Sequence, residues 1–342
     1  MSKPVKILSL DGGGTRGLFP ATILNCIKED TGKQPYEIFD VIVGAATGGI
    51  ISAALACGLD TSEMVDIYLN RAGYLLPENK LRRIWNPLNL FAPKYPNKNL
   101  KEVLEEKFGD KKLKDVAAQY GADTAFIQAA LDLSPPLEKG KIPEFKVVIY
   151  NSVITDHHEE SMVDIALRNS AAVINLPLYQ NHTEGGNYAN DPAMIGLAFA
   201  LNSKDQPLAD NSILPNKKMG LAADINNIKM FSLGCGSTGS SHVPKDKIGK
   251  GNWGLIKWVN YLINLVIDTN MVATQYYVNE MLPDGQYLRI NPYYKGEDAP
   301  AILRDKDLKI DVTDKQQLTA INEYAIKFYN QKKQEIHDFL QL

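Results

Sequence analysis

The sequence contains little cysteine and no long apolar run. Its three cysteines, among 342 residues, are too few and too widely spaced for a disulfide framework, and none forms a Cys-x-x-Cys pair of the kind that binds zinc. The longest nearly continuous apolar stretch is Ile50–Leu59, whereas a helix that spans a bilayer needs about 20 apolar residues. The first residues also lack the charged and apolar regions of a secretory signal. We therefore expect a cytoplasmic protein with reduced thiols, whose contact with a membrane in the active state is peripheral.

An excess of charge of either sign is also lacking. The 37 Lys and Arg residues against 40 Asp and Glu residues give a formal net charge of -3. Because nucleic-acid-binding domains usually carry a basic excess, a nucleic-acid partner is not expected. Glycine and proline, at 25 and 18 residues, are near average usage, which excludes collagen-like and low-complexity chains. A hydrophobic content of 44% and a charged content of 23% are typical of a globular protein.

Short apolar runs alternate with helical patterns in the first sixty residues. Val5–Leu10 and Phe39–Val43 are predicted to be buried strands, and Leu18–Glu29 and Ile50–Cys57 are predicted to be helices. Strand, helix, strand and helix joined by short links predict a parallel sheet covered by helices. The expected fold class is therefore α/β, with three α/β/α layers and a mainly parallel central sheet.

The rest of the chain shows no repeat and no obvious linker. Residues 70–99, which several prolines interrupt, are expected to form a long insertion that is either a lid or an ordinary loop. We expect a single domain over residues 1–342, with the motifs in a core of about residues 4–240 and a helical part at about 250–342. Further strands are predicted at Phe145–Tyr150 and Ile228–Leu233, and further helices at Lys101–Phe108, Trp253–Asp268 and Gln317–Leu340.

The first motif is the glycine-rich segment Asp11–Gly17, which lies between the first predicted strand and helix. Consecutive glycines allow several N–H groups to point to one spot, and the helix N-terminus favours negative charge there. The motif fits a phosphate cradle, an oxyanion hole or a purely structural turn. Three of its glycines match the dinucleotide fingerprint, but the acid expected after the second strand is missing, so an oxidoreductase is the least supported reading.

The second motif, Gly44–Gly49, follows the second predicted strand and opens a helix. This is the context of a nucleophile elbow, in which small flanking residues allow a strained turn that lifts a serine above the sheet. Gly44 and Gly48 supply the frame, but the nucleophile position holds Ala46, whose methyl group cannot attack a carbonyl. Thr47 adjoins this position, although the side chain at that point of an elbow is directed elsewhere. Taken alone, the motif favours a tight turn without chemistry.

The third motif is Glu184–Gly186, an acid before two glycines, which is usually only a turn. In combination, however, the ordered motifs resemble the patatin-like phospholipase family over about residues 4–240. The family pattern runs D-G-G-G-x-R-G, F-D-x-I-x-G-T-S-T-G-G, R-A-T-S-A-A-P, D-G-G, N-N-P and a late S-L-G-T-G. The corresponding segments here are Asp11–Gly17, Phe39–Gly49, Arg168–Ala172, Glu184–Gly186, Asn190–Pro192 and Phe231–Gly236.

The resemblance implies a patatin-like fold and hydrolysis of membrane phospholipids by a Ser–Asp dyad, without a metal or another cofactor. It assigns Ala46 to the nucleophile position and Glu184 to the position of the dyad acid. The donors of the oxyanion hole would be supplied or positioned by Gly12, Gly13 and Gly14, with Arg16 nearby. The nucleophile elbow would be formed by Gly44, Thr47 and Gly48.

Both catalytic positions depart from the family pattern. Ala46 removes the nucleophile, which abolishes nearly all covalent catalysis, and Glu184 is one methylene longer than the expected aspartate. Two explanations are open: an active lipase in which serine was replaced by alanine, or a natural pseudoenzyme that acts as a lipid- or partner-binding module. The resemblance extends to bacterial anti-phage effectors that cyclic nucleotides switch on. It therefore raises the prospect of such an activator and of a homo-oligomer, although no motif marks a site for either.

Two sequence features could bring the protein to a membrane. One is the predicted helix that carries Trp253, Trp258 and Tyr261, because tryptophan and tyrosine favour membrane interfaces. The apolar face of this helix either meets lipid or docks on the sheet. The other is the basic cluster of Lys80, Arg82 and Arg83 beside Trp85. It either contacts anionic head groups or a phosphorylated ligand, or forms an ordinary solvated loop.

Overall fold

The computed structural model describes residues 3–78, 86, 89–135, 145–205, 212–239, 243, 245–306 and 308–342. The basic cluster of Lys80, Arg82 and Arg83 beside Trp85 lies outside the described residues, as does part of the predicted insertion at 70–99.

A single mixed sheet forms the centre of the described structure. Its strands are β1 Val5–Leu10, β2 Val41–Ala45, β3 Ala125–Asp132, β4 Lys146–Asn151, β5 His182–Glu184, β6 Ile228–Leu233 and β7 Tyr287–Ile290. The strand order is β4-β3-β2-β1-β6-β7, and β5 pairs with β3 beyond the end of β2. All pairings from β3 to β7 along this order are parallel, whereas β4 and β5 run antiparallel to β3. The prediction of a mainly parallel sheet is confirmed.

Helices connect the strands and cover the sheet. The described helices are α1 Leu18–Thr31, α2 Pro35–Ile38, α3 Thr47–Ala56, α4 Thr61–Leu75, α5 Lys98–Phe108, α6 Leu113–Tyr120, α7 Met162–Asn169, α8 Gly186–Ala189, α9 Ala193–Leu201, α10 Lys245–Ile248, α11 Leu255–Met281, α12 Ala301–Arg304 and α13 Lys315–Leu340. None of them is both long enough and apolar enough to cross a membrane.

Alternate residues of the central strands enter two separate cores. Leu8 and Leu10 of β1 belong to the core beneath α1, α3, α4 and α13, whereas Ile7 belongs to the core beneath α9 and α11. Because successive side chains of a strand point to opposite faces, a sheet with both faces covered favours apolar residues on both faces of its strands. This explains the continuous apolar runs in the sequence and confirms the three-layer α/β/α architecture.

Several predicted boundaries differ from the structure. The strands at Val5–Leu10 and Ile228–Leu233 have the predicted bounds, but the helix predicted at Trp253–Asp268 runs from Leu255 to Met281. Residues 70–75 belong to α4, so the predicted insertion begins too early. The alanine-containing β3 was not predicted, because alanine has little preference for strands and only burial at the sheet centre favours them there.

Candidate functional site

The turn between β2 and α3 is strained at Ala46. This residue has φ 48° and ψ -120°, a left-handed conformation that residues other than glycine rarely adopt. Such a conformation costs of order 1–3 kcal/mol and persists only where the surrounding structure enforces it. A strained turn from strand to helix is the geometry that exposes the nucleophile in an elbow.

Close contacts of the backbone enforce this turn. A β-carbon placed on Gly44 would lie 2.2 Å from the carbonyl oxygen of Gly48. One placed on Gly48 would lie 2.0 Å from the carbonyl oxygen of Leu10, at the end of β1. Neither position has room for a side chain, so both glycines are required by the approach of the turn to the sheet.

Asn169, at the end of α7, holds both backbone groups of Ala46. Its Oδ1 accepts a hydrogen bond from the N–H of Ala46 at 3.1 Å, and its Nδ2 donates to the carbonyl oxygen of Ala46 at 2.7 Å. The amide is fully buried, and a β-carbon on Gly49 would lie only 2.0 Å from its Nδ2. Asn169 was not predicted from the sequence, although its difference from the alanine of the family pattern was a signal.

Thr47, the next residue of the elbow, is engaged elsewhere. Its hydroxyl hydrogen-bonds the hydroxyl of Tyr68 in α4, and the side chain is buried. A β-carbon on Gly17 would lie 2.6 Å from the Thr47 Oγ1, so this hydroxyl packs against the end of the glycine-rich segment. It is therefore a structural contact between α3, α4 and that segment.

The glycine-rich loop passes directly beside Ala46. A β-carbon on Gly12 would lie 3.0 Å from the Cβ of Ala46. The N–H of Gly12 donates to the carbonyl oxygen of Asn190 at 2.9 Å. By contrast, the N–H groups of Gly13 and Gly14 donate no hydrogen bond to any residue that the structure describes. In this loop, Gly13 and Gly14 thus carry the available donors, and Gly12 provides the close approach to Ala46.

Strand register brings Glu184 next to the elbow. In β3, Ala129 is paired with Ala45, the residue before Ala46, and the following Ala130 is paired with Glu184 of β5. The last residues of β2 and β5 therefore lie side by side along one edge of β3, although they are far apart in the sequence.

The Glu184 carboxyl lies in a buried position. Burial raises its pKa to about 7, although a hydrogen bond from the backbone N–H of Val173 lowers it. A β-carbon on Gly186 would lie 3.5 Å from the Glu184 Cδ and 2.9 Å from the Oδ1 of Asn190, the residue that also contacts Gly12. A carboxyl group that titrates near neutral pH can act as a general base under physiological conditions.

A buried arginine from β7 connects the glycine-rich loop with the segment that follows α8. Arg289 of β7 forms two hydrogen bonds with the carboxylate of Asp11 and one with the Ser232 hydroxyl, and it lies 3.1 Å from Asp191. Both aspartates are almost completely buried, and the arginine side chain is 11% exposed. The guanidinium thus joins the glycine-rich loop to the Asn190–Pro192 segment. Arg289 was not predicted from the sequence, in which its one signal is a charged residue within an otherwise apolar strand.

A cavity of about 350 Å³ opens beside the glycine-rich loop. Gly12, Arg16 and Asn190 line one part of it, and residues of α11 line another. The Nε of Arg16 is buried and has no hydrogen-bond partner among the described residues. Ala46 and Glu184 do not line the cavity, but they adjoin it through Gly12 and Asn190. Its polar wall carries three cationic side chains and three carboxyl groups, namely Arg16, Lys94 and Lys309 with Asp11, Asp268 and Asp311. Lys94 is paired with Asp311, so the buried Nε of Arg16 is the group that can receive an anionic ligand.

Similarity to known proteins indicates the family of the chain independently of the geometry of the site. Residues 8–200 match the family described as patatin-like phospholipase. The chain is 28% identical to patatin-like protein 2 of Arabidopsis thaliana over 295 residues, which cover 75% of this chain and 66% of the relative. It is also 28% identical to the cGAMP-activated phospholipase of Vibrio cholerae over 284 residues, which cover 75% of this chain and 72% of that protein. It is 22% identical to patatin group J-1 of Solanum tuberosum over 325 residues, which cover 85% of this chain and 76% of that protein. The chain thus spans slightly less than two thirds of the length of the Arabidopsis relative.

Proposed function

The chain belongs to the patatin-like phospholipase family, whose members are lipid acyl hydrolases, and we propose that its site is built to hydrolyse the fatty-acyl esters of membrane phospholipids. The observation that carries this proposal is the strained backbone of Ala46, at a turn beside Gly12. The pairing of adjacent β3 residues with Ala45 and Glu184 supports Glu184 as the neighbouring acid. Because alanine carries no nucleophile, we propose that the chain is inactive as it stands and that serine at position 46 restores activity. We also propose that the motif-bearing core and the C-terminal helices form one domain over residues 1–342.

The arrangement supports an acyl transfer in two steps. The hydroxyl of a serine at position 46 attacks the ester carbonyl carbon while the Glu184 carboxylate takes its proton. The N–H groups of Gly13 and Gly14 donate hydrogen bonds to the oxyanion that forms. As this intermediate collapses, Glu184 returns the proton to the leaving alcohol oxygen, and the acyl group remains on the serine. A water molecule, deprotonated by Glu184, then attacks the acyl-enzyme. As the bond between the acyl carbon and the serine oxygen breaks, Glu184 returns the proton to that oxygen and the fatty acid leaves.

The cavity beside the glycine-rich loop is the proposed site of the phospholipid head group. Arg16 lines it with a buried Nε that has no partner among the described residues. Lys309 also lines it, as do the carboxyl groups of Asp11, Asp268 and Asp311, of which Asp11 is paired with Arg289 and Asp311 with Lys94. Guanidinium and ammonium groups bind phosphate oxygens through charge-assisted hydrogen bonds. A phosphodiester in this cavity would lie next to Gly12 and would thus place the neighbouring ester near position 46.

The direct test compares three proteins at equal folded concentration on mixed phospholipid vesicles and on a soluble p-nitrophenyl ester. They are the chain as it stands, Ala46→Ser, and Ala46→Ser combined with Glu184→Gln. We expect fatty-acid release by Ala46→Ser alone, at a rate roughly a thousandfold or more above the other two. Because Glu184 must be ionised, the rate should rise with pH through about 7. A correctly folded Ala46→Ser protein that hydrolyses neither substrate, with or without activators, would refute the proposal.

The second candidate is a lipid- or partner-binding pseudoenzyme of the same fold. Both departures at the dyad positions, Ala46 and Glu184, support it. It predicts that vesicles are bound without turnover whether position 46 carries alanine or serine, whereas the hydrolase predicts turnover with serine. The vesicle assay therefore discriminates between them.

We also propose that a small molecule activates the enzyme, with a cyclic nucleotide as the first candidate. The support is the similarity to the Vibrio cholerae protein named as a cGAMP-activated phospholipase. In the Ala46→Ser background, cGAMP should increase hydrolysis of vesicles, and light scattering should show whether it also assembles the chain into a homo-oligomer. Equal rates with cGAMP, other cyclic nucleotides and no nucleotide would contradict this proposal.

A further inference from the structure

One face of α11 carries a row of exposed apolar side chains. Their exposed fractions range from 38% to 63%. At about 1.5 Å per residue, the row extends roughly 29 Å along the helix. Soluble monomers rarely leave an apolar surface of this extent uncovered, so it marks an interaction site. We call this row the α11 stripe; it consists of Trp258, Leu262, Leu265, Val266, Val272, Tyr276 and Tyr277.

The other side of the same helix faces the protein. Thr274 and Val278 are buried, and the helix packs on α8 and α9. Ile267 and Met271 line the cavity that Gly12 also lines. The helix is therefore a wall between this cavity and the outside, with its apolar stripe turned outward. Whatever the stripe binds is held next to the proposed catalytic site.

The residues at the start of α11 indicate the kind of partner. Trp253 contacts Trp258 and Tyr261 with ring centroids 5.2 and 5.5 Å apart, and Lys257 lies 5.8 Å from the centre of the Trp253 ring. Tryptophan and tyrosine favour the boundary between lipid and water, and lysines near it are attracted to anionic head groups.

The charges around the stripe are distributed unevenly. The α11 stripe itself contains no charged residue, since the charged positions of α11 are Lys257, Asp268 and Glu280. Just before the helix, exposed Lys247 and Lys250 outnumber the exposed Asp246. An apolar face with lysines at one end matches a bilayer that contains anionic lipid, since the face enters the head-group region while the lysines contact the anionic head groups.

We propose that the α11 stripe, together with Lys247, Lys250 and Lys257, docks the protein on the surface of a bilayer that contains anionic phospholipid. The helix lies in the head-group region, and the cavity behind it opens at the lipid surface. This proposal deepens the proposed function, because it states how a phospholipid reaches the site.

Vesicle binding tests the surface without turnover when the chain carries its own Ala46. The probes are vesicles of phosphatidylethanolamine with phosphatidylglycerol and vesicles of phosphatidylcholine alone, with binding measured by co-sedimentation and tryptophan fluorescence. We expect binding to the anionic vesicles to be roughly tenfold or more tighter and to weaken with salt. The tryptophan fluorescence should shift to the blue as indole rings move from water into lipid. The shift should be large, because Trp253 and Trp258 are two of the three tryptophans.

Paired variants separate the apolar and the ionic contributions. Leu262→Gln with Val272→Gln should weaken binding about tenfold or more, whereas Phe145→Gln with Ile326→Gln, at exposed apolar positions elsewhere, should leave it unchanged. A second pair of variants tests charge. Replacing Lys247, Lys250 and Lys257 by glutamine should remove the preference for anionic vesicles, and the same exchange at the exposed Lys98, Lys101 and Lys332 should not. Circular dichroism and thermal unfolding verify that each variant is folded.

Two outcomes overturn this proposal. Either the Leu262→Gln, Val272→Gln protein binds vesicles as tightly as its parent, or the parent fails to bind vesicles and the two substitutions instead dissociate an oligomer, as light scattering would show. Failure of the proposed function is distinguishable from both. If vesicles are bound but Ala46→Ser hydrolyses no ester, the hydrolase proposal alone fails. If Ala46→Ser cleaves the soluble ester but vesicles are not bound, the docking proposal alone fails.

Discussion

Replacing Glu184 by glutamine should stabilise the folded protein at alkaline pH and much less at acid pH. The carboxyl is buried, and burial raises its pKa from 4.5 to about 7. A buried carboxylate that serves as a base is expected to cost stability, because the folded state must hold a charge away from water. The glutamine side chain is neutral at every pH and keeps an oxygen that can accept the hydrogen bond from Val173.

The sign and size of the effect follow from proton linkage. Between pH 4.5 and about 7 the unfolded chain has lost the Glu184 proton while the folded chain still holds it. Ionisation therefore favours the unfolded state, and stability falls as pH rises through this window and remains low above it. The full loss is ~3 kcal/mol, and the advantage of Glu184→Gln should grow by ~2.5 kcal/mol between about pH 5 and about pH 8.

The measurement is urea unfolding of parent and variant across that pH range, with the difference in the free energy of unfolding plotted against pH. Asp11 is a second buried carboxyl, so only this difference isolates the contribution of Glu184. Glu323→Gln, at an exposed position of α13, controls for the loss of one negative charge. If the difference between Glu184→Gln and its parent is the same at both ends of the pH range, this prediction is wrong, because the carboxyl then titrates alike in both states.

Three further predictions concern the framework of the site. Gly48→Ala should destabilise the protein by ~3 kcal/mol or more, because its β-carbon would meet the Leu10 carbonyl oxygen, whereas Gly73→Ala, with open space in α4, should stabilise it by ~0.5–1 kcal/mol; thermal unfolding of both variants checks this. Arg289→Leu should cost ~3–5 kcal/mol in urea unfolding, because two buried aspartates lose their guanidinium; a cost below ~1 kcal/mol would contradict the assigned network. In the Ala46→Ser background, Asn169→Ala should cost ~1–3 kcal/mol of stability and lower kcat for the soluble ester more than it raises KM, since the elbow loses both backbone contacts; equal kcat in a folded variant would show that Asn169 does not position the elbow.

The local pattern of apolar residues was sufficient to predict the strands whose residues are buried on both faces of the sheet. Val5–Leu10 and Ile228–Leu233 are short apolar runs, and the structure gives them the predicted bounds. The pattern was insufficient for Ala125–Asp132, where alanine has little preference for strands and neighbouring strands impose the extended conformation. It was also insufficient for the end of α11, because exposed apolar residues on its outer face obscure the usual amphipathic signal.

The motifs could be read from the chain because glycines at Gly44 and Gly48 serve a purely local need, namely room for a tight turn. The position of Glu184 next to this turn could not be predicted from the local sequence. It depends on the register of β3, in which adjacent residues pair with the ends of β2 and β5. The same holds for Asn169 and Arg289, whose partners are 123 and 278 positions away in the sequence. Contacts over such separations depend on how the strands are ordered and paired, and residue type alone carries no record of that order.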